Sequence, residues 1–159
     1  MDTVYLETTF ISYLVALPSR DLIVAAHQRV TSDWWAYQRN KYDCYASEIV
    51  VDEASVGDEN EIRKRLIVLD SLELLDLTTE VSNLTNAIIK SEVIPRKAVR
   101  DAAHIAVATV HEIDYLLTWN CKHIANAQIL RKIEKVCIES GYQMPVICTP
   151  EGLMEGDND

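Results

Sequence analysis

Short apolar runs of strand length alternate along this chain with longer stretches of helical period, and hairpin signals are few. No other feature constrains the fold as strongly. Strands separated by helices pair in parallel, and the helices then cover both faces of the sheet. The sequence therefore predicts an α/β fold in three layers around a mainly parallel sheet. Val4-Tyr5-Leu6 is apolar throughout, as a central strand buried on both faces should be. Tyr42 to Ala46, a run within Leu72 to Leu77, Tyr115 to Thr118, and Val146 to Cys148 supply the remaining strands.

The helical segments carry their own punctuation. Thr9 to Ala16 stops near Pro18. Ser19 is placed to cap a helix that runs to about Arg39, with Asp21 in its first turn. That helix holds Leu22, Ile23, Ala26, Val30 and the pair Trp34-Trp35. Ser47 caps a short helix carrying Ile49, Val50, Glu53 and Ala54, which Gly57 breaks, and Glu59 to Leu69 forms another. Thr79 caps a helix through about Val93; Pro95 interrupts, and Arg96 to Glu112 is helical again. Cys121 to Ser140 ends at Gly141, a helix C-terminal glycine. One domain over residues 1–151 follows, with a polar, acidic tail over 152–159 that is expected to be disordered.

The formal net charge of −10 argues against binding nucleic acid over the whole surface, while leaving room for a local basic patch. A carboxylate cluster that holds a cation adds to that negative count. Cys44, Cys121, Cys137 and Cys148 form no C-x-x-C pair, which speaks against zinc. Reduced, mostly buried thiols in a cytoplasmic protein are the expectation. No basic-then-apolar leader opens the chain, and no apolar run reaches the ~18–20 residues of a membrane span.

Glu7 follows the first strand at once and precedes Thr8-Thr9 and a second apolar stretch. The carboxyl end of a strand beside a helix start is where open α/β sheets place their sites. Glu53, Asp101 and Asn120 stand in similarly pointed places. Asp101 lies within Ala98 to Ala108, a run so apolar that an unpartnered carboxylate there would be costly. It needs a cation, a donor or a metal, and Arg100, Lys97 or another helix could supply the partner. Each residue also has a plainer reading. Glu7 can cap the first helix, Glu53 on a lone helix faces solvent, and Asn120 after a strand is a turn residue.

The grouping is what points to chemistry. Magnesium and manganese take oxygen ligands, and an ion held by carboxylates over a phosphodiester activates a water for attack. Asn120 would give a neutral oxygen ligand or orient a water. His27, His104, His111 and His123 are not at zinc-motif spacings and read as core or surface histidines. Lys122 and His123 either meet substrate phosphates or open a solvated helix.

The segments Tyr5-Leu6-Glu7-Thr8-Thr9, Ser47 to Glu53, Arg100 to Ala106, and Leu117-Thr118-Trp119-Asn120 together resemble the four motifs of PIN domains. In style the chain is similar to the VapC-type toxins of bacterial toxin–antitoxin pairs. The resemblance covers almost the whole chain, including Thr149-Pro150-Glu151 after the last strand. It implies a parallel sheet of about five strands in the order 3-2-1-4-5, an acidic Mg²⁺ or Mn²⁺ site at the strand carboxyl ends, and cleavage of single-stranded RNA. Carried over by motif position, the catalytic and metal residues are Glu7, Glu53, Asp101 and Asn120. Thr8 or Thr9 would support the first and Thr118 the last. The implied partners are an RNA substrate, a small antitoxin protein, and a second copy of the chain. The Trp34-Trp35 helix is a candidate dimer contact unless both rings are ordinary core.

Two positions depart from the family pattern. The family usually has Asp where this chain has Glu7, so the longer side chain must swing or sit further back. Asn120 stands where Asp is frequent, and the missing charge should weaken metal binding. A catalytically weak PIN-like domain that binds RNA or protein is the alternative these departures raise. An unrelated small-ligand domain is disfavoured, because the chain has only 4 glycines and no G-x-G-x-x-G.

Overall fold

β1 (Thr3–Leu6), β2 (Asp43–Ser47), β3 (Glu73–Leu75), β4 (Tyr115–Leu117) and β5 (Val146–Cys148) form one sheet in the computed structural model, which describes residues 1–155. The order is β3-β2-β1-β4-β5, as expected, and every pairing is parallel. β1 sits at the centre because its sequence permits it. Val4, Tyr5 and Leu6 are fully buried, and Val4 pairs with Cys44 on one side and Tyr115 on the other.

The helices are α1 (Thr8–Val15), α2 (Leu22–Tyr37), α3 (Glu48–Ala54), α4 (Glu59–Asp70), α5 (Thr79–Lys90), α6 (Val99–Val110) and α7 (Ala127–Glu139). Parallel crossovers are right-handed. The chain moves one way across the sheet from β1 to β3, then returns past β1 to β4 and β5, so its two sets of helices fall on opposite faces. α1 packs on α2, α3 and α4, and α5 packs on α6 and α7. The three-layer α/β/α fold follows. The reversal leaves a switch point between β1 and β4, the place where open α/β sheets put their sites.

Several helix ends differ from the sequence expectation. Asp21, not Ser19, caps α2: its carboxylate accepts from the N–H groups of Ile23 and Val24, while Ser19 accepts from the N–H of Asp21. Thr78 rather than Thr79 caps α5. A turn fills residues 121–125, and Asn126 caps α7. α5 and α6 end earlier than expected, at non-glycine residues in the left-handed region, Glu92 (φ 62°) and Glu112 (φ 56°). At Gly141 (φ 89°) an added Cβ would touch nothing, so the backbone angle alone calls for glycine. A 3₁₀ turn covers Pro150–Leu153, and the Leu153 carbonyl accepts from the Trp34 indole at 3.2 Å. Residues 156–159 of the expected tail lie outside the described residues.

Trp34 belongs to the core. It is fully buried, edge-on to Phe10 and stacked on Tyr42. Trp35 is half-buried beneath the Arg39 guanidinium, 3.9 Å from its ring centre. Trp34 is therefore no surface contact for a second copy. The cysteines are free thiols, with Cys137 buried, Cys44 and Cys148 half-buried, and Cys121 exposed. Burial pushes the Cys44 thiol up to about 11, which leaves it inert at neutral pH. Among the described residues no helix is long and apolar enough to cross a membrane.

Removing the Trp34 ring should leave a cavity that the sheet and α2 cannot close. Trp34→Ala is expected to cost ~3–5 kcal/mol in urea unfolding. Trp35→Ala should cost clearly less, because part of that ring is already in water. Equal losses would contradict this account of the α2 core.

Candidate metal centre

Glu7 sits where β1 becomes α1, beside the end of β4. Its N–H donates to the Leu117 carbonyl at 3.1 Å, which extends the β1–β4 pairing by one bond. Its backbone is extended, so the side chain turns back over the first turn of α1. There Oε2 accepts from the Thr9 N–H (3.0 Å), the Thr9 hydroxyl (2.5 Å) and the Thr118 hydroxyl (2.8 Å). The extra methylene of glutamate gives the reach for this. Glu7 thereby caps α1, where the helix dipole favours negative charge. The residue is only 2% exposed. Its other oxygen, Oε1, lies 3.9 Å from His104 Nε2 and has no hydrogen bond among the described residues.

Glu53 arrives from the last turn of α3. Its Oε1 accepts from the Thr8 hydroxyl at 2.7 Å and from His104 Nε2 at 2.5 Å. Glu53 is thus no solvated surface residue. His104, fully buried on α6, is satisfied at both nitrogens, since Nδ1 lies 2.7 Å from the Tyr5 hydroxyl, which in turn lies 2.8 Å from Ser47 Oγ. A carboxylate accepts only, so Nε2 donates to it. With a neutral ring, Nδ1 accepts from Tyr5, and Tyr5 accepts from Ser47. Burial raises the pKa of Tyr5, the Ser47 bond opposes that, and the charges of Glu7 and Glu53 add to it, so the phenol stays protonated. Burial also works against ionising Glu53. The hydrogen bond and charge of His104, with Thr8 and Arg100, outweigh it and hold Glu53 below the usual carboxylate range.

One ligand atom from each of Glu7, Glu53 and His104 lies within 4.8 Å of the others. That group could hold a metal ion. The two expected carboxylates are brought together, but their neighbour is His104, which the sequence reading set aside as a core histidine. Tyr5 offered the missing signal. A tyrosine in a strand buried on both faces must find a partner for its hydroxyl.

Asp101 and Asn120 do not join that close group. Asp101, half-buried near the start of α6, has its Oδ2 3.0 Å from His123 Nδ1. The partner it required is thus supplied by the turn after β4, not by Arg100 or Lys97. Asn120 Oδ1 accepts from the N–H groups of Lys122 and His123, at 3.2 and 3.0 Å. Both lone pairs of that oxygen are committed to shaping the turn, as its plainer reading held. The threonines also divide differently. Thr9 and Thr118 serve Glu7, Thr8 serves Glu53, and Thr118 accepts from the Asn120 N–H at 2.9 Å.

The open carboxylate oxygens suit a metal ion. Glu7 Oε1 and Glu53 Oε2 carry no hydrogen bond among the described residues, and two carboxylates this close repel unless a cation lies between them. His104 has both ring nitrogens engaged, so in this arrangement it steadies Glu53 rather than offering a free lone pair. No protein-family model matches the chain, and no curated protein matches it.

The depressed pKa of Glu53 fixes a sign. A carboxylate lowered on folding contributes stability that is fully present above its unfolded value, near 4.5, and is lost as pH falls through its folded value. With metal chelated, the stability gap between wild type and Glu53→Gln should narrow as pH drops from 6 to below 4.5. Urea titrations across that range measure it, and a gap that stays constant would remove the Glu53–His104 pairing from the account.

Proposed function

We propose that this chain is a metal-dependent endoribonuclease of the PIN type, cutting single-stranded RNA as the toxin of a toxin–antitoxin pair. One observation carries the proposal. Two carboxylates, Glu7 and Glu53, converge within a few ångströms at the switch point of an all-parallel sheet, each with an oxygen left open. The choice of RNA, and of a small antitoxin as partner, rests on the four sequence segments that resemble PIN motifs.

Glu7 and Glu53 would hold Mn²⁺ or Mg²⁺, with His104 orienting Glu53 and Asp101 at the edge of the site. The bound ion would polarise a phosphoryl oxygen and lower the pKa of a water. The chain's own residues do the rest. Thr9 and Thr118 pin Glu7 Oε2, so Oε1 has a fixed direction. Thr8 and His104 fix Glu53 in the same way. His123, held by Asp101 on a turn shaped by Asn120, would be the nearby imidazole that could exchange a proton with the substrate.

A second reading has its own support. Every residue expected at the site already has a protein partner, and Asn120 has no acceptor to spare. A catalytically weak domain that binds RNA or protein would look the same.

Metal affinity separates the two. Mn²⁺ at ~100 times its dissociation constant should stabilise the nuclease by ~2.7 kcal/mol, read as a rise in Tm. Glu53→Gln, folded but less stable than the wild type near neutral pH, should abolish that rise and the cleavage of single-stranded RNA. Expression of the wild type, but not of Glu53→Gln, should arrest growth. An unchanged Tm at millimolar Mn²⁺ and Mg²⁺ would leave the binding-module reading in its place.

A further inference from the structure

Trp119 connects β4 to the turn beside the carboxylates. Its backbone N–H donates to the Thr9 hydroxyl at 2.8 Å, the same hydroxyl that donates to Glu7. Its indole N–H donates to the Thr31 hydroxyl at 2.8 Å, which sets the ring's orientation. The His27 imidazole stacks on that ring, 4.1 Å between centres and 12° between planes. Tyr13 meets both rings edge-on, at 6.0 and 6.1 Å. All three side chains are half-buried. Unlike Phe10, Trp34, Trp35 and Tyr42, neither Tyr13 nor Trp119 packs in the core or against it. The fold spends hydrogen bonds on holding an aromatic ledge that its core does not use.

A cationic border lies on the α6 side. The Asp101–His123 contact brings the start of α6 against the turn after β4. Lys97, Arg100 and Lys122 are exposed there, and none forms an ion pair among the described residues. The charge of Arg100 is felt at Glu53. In a chain of net charge −10, these exposed side chains put positive charge on that side of the turn, where an anionic strand could be met.

We propose that the Trp119–His27–Tyr13 ledge is a base-stacking subsite for single-stranded RNA. Aromatic faces beside unpaired cations are the features by which proteins hold single strands, one taking the bases and the other the phosphates. A duplex hides its base faces in its own stack, so the ledge selects strands whose bases are free. Stacking reads a π-face rather than a hydrogen-bond pattern, so the subsite tolerates any base. The inference deepens the nuclease reading and rests on it for the identity of the strand, but it requires no metal.

Binding is measured in EDTA, so that nothing is cut, with a short fluorescein-labelled single-stranded RNA and with a strand of the same length made of abasic linkers. The wild type should bind the base-bearing strand ~10-fold more tightly than the abasic one. Bound bases should also quench the Trp119 fluorescence. His27→Ala and Trp119→Leu should each abolish the preference and leave the affinity for the abasic strand unchanged. If Trp119→Leu does not fold, His27→Ala and Tyr13→Leu carry the test, because both alter side chains outside the core. Equal wild-type affinity for the two strands, binding to neither, or an undiminished preference in the variants would overturn the ledge. Such a result beside a Mn²⁺-dependent rise in Tm and RNA cleavage would leave the nuclease reading standing. A base preference without any metal response would keep the ledge and remove the nuclease.

Discussion

Burying a carboxylate is costly unless donors meet it, and the Glu7 carboxylate is the demand around which the rest of this structure is arranged. Its Oε2 takes a backbone N–H and two hydroxyls, from the first turn of α1 and from the end of β4. Those donors exist in one place only because β1 and β4 are neighbours, with Leu6 in register with Leu117. One side chain therefore caps a helix, ties two strands at the switch point, and leaves its remaining oxygen on the side of His104. The same hydroxyls are used twice. Thr9 also accepts from Trp119, and Thr118 from Asn120, so the loop after β4 is anchored to the carboxylate that it borders.

The second carboxylate is arranged on the same logic from different elements. Glu53 of α3 meets Thr8 of α1 and His104 of α6, so one residue draws on both helical layers. The relay behind it, through Tyr5 to Ser47, satisfies each buried polar group in turn. Two carboxylates are thereby held close, in surroundings that favour the charge of Glu53 despite its partial burial. Asp101 and His123 form a separate pair, which joins the start of α6 to the turn after β4.

Much of this was legible in the chain. The alternation of apolar runs with helical segments announced a parallel sheet, and Val4-Tyr5-Leu6 announced its central strand. Glu7 and Glu53 were legible as candidates because each stands at the end of an element. Gly141 marks the end of α7 in the sequence, and its positive φ is the reason. The ends of α5 and α6 carry no such mark, because glutamate takes a left-handed φ at Glu92 and Glu112. Ser19 and Thr79 were chosen over Asp21 and Thr78 because a capping residue type is visible in sequence while the direction of the backbone is not.

The sequence by itself determined the fold class, the burial of β1 and the presence of carboxylates where strands give way to helices. Those properties are local, or periodic along the chain, and need no knowledge of what lies opposite. The tertiary structure alone decided which groups meet. His104 stands between Glu7 and Glu53 because α6 crosses the end of β1, a contact between residues about a hundred positions apart. Asp101 went to His123 and Asn120 to its own turn, since each polar group takes the nearest geometry that satisfies it. The site is a set of long-range coincidences, and only the packing of the layers brings them together.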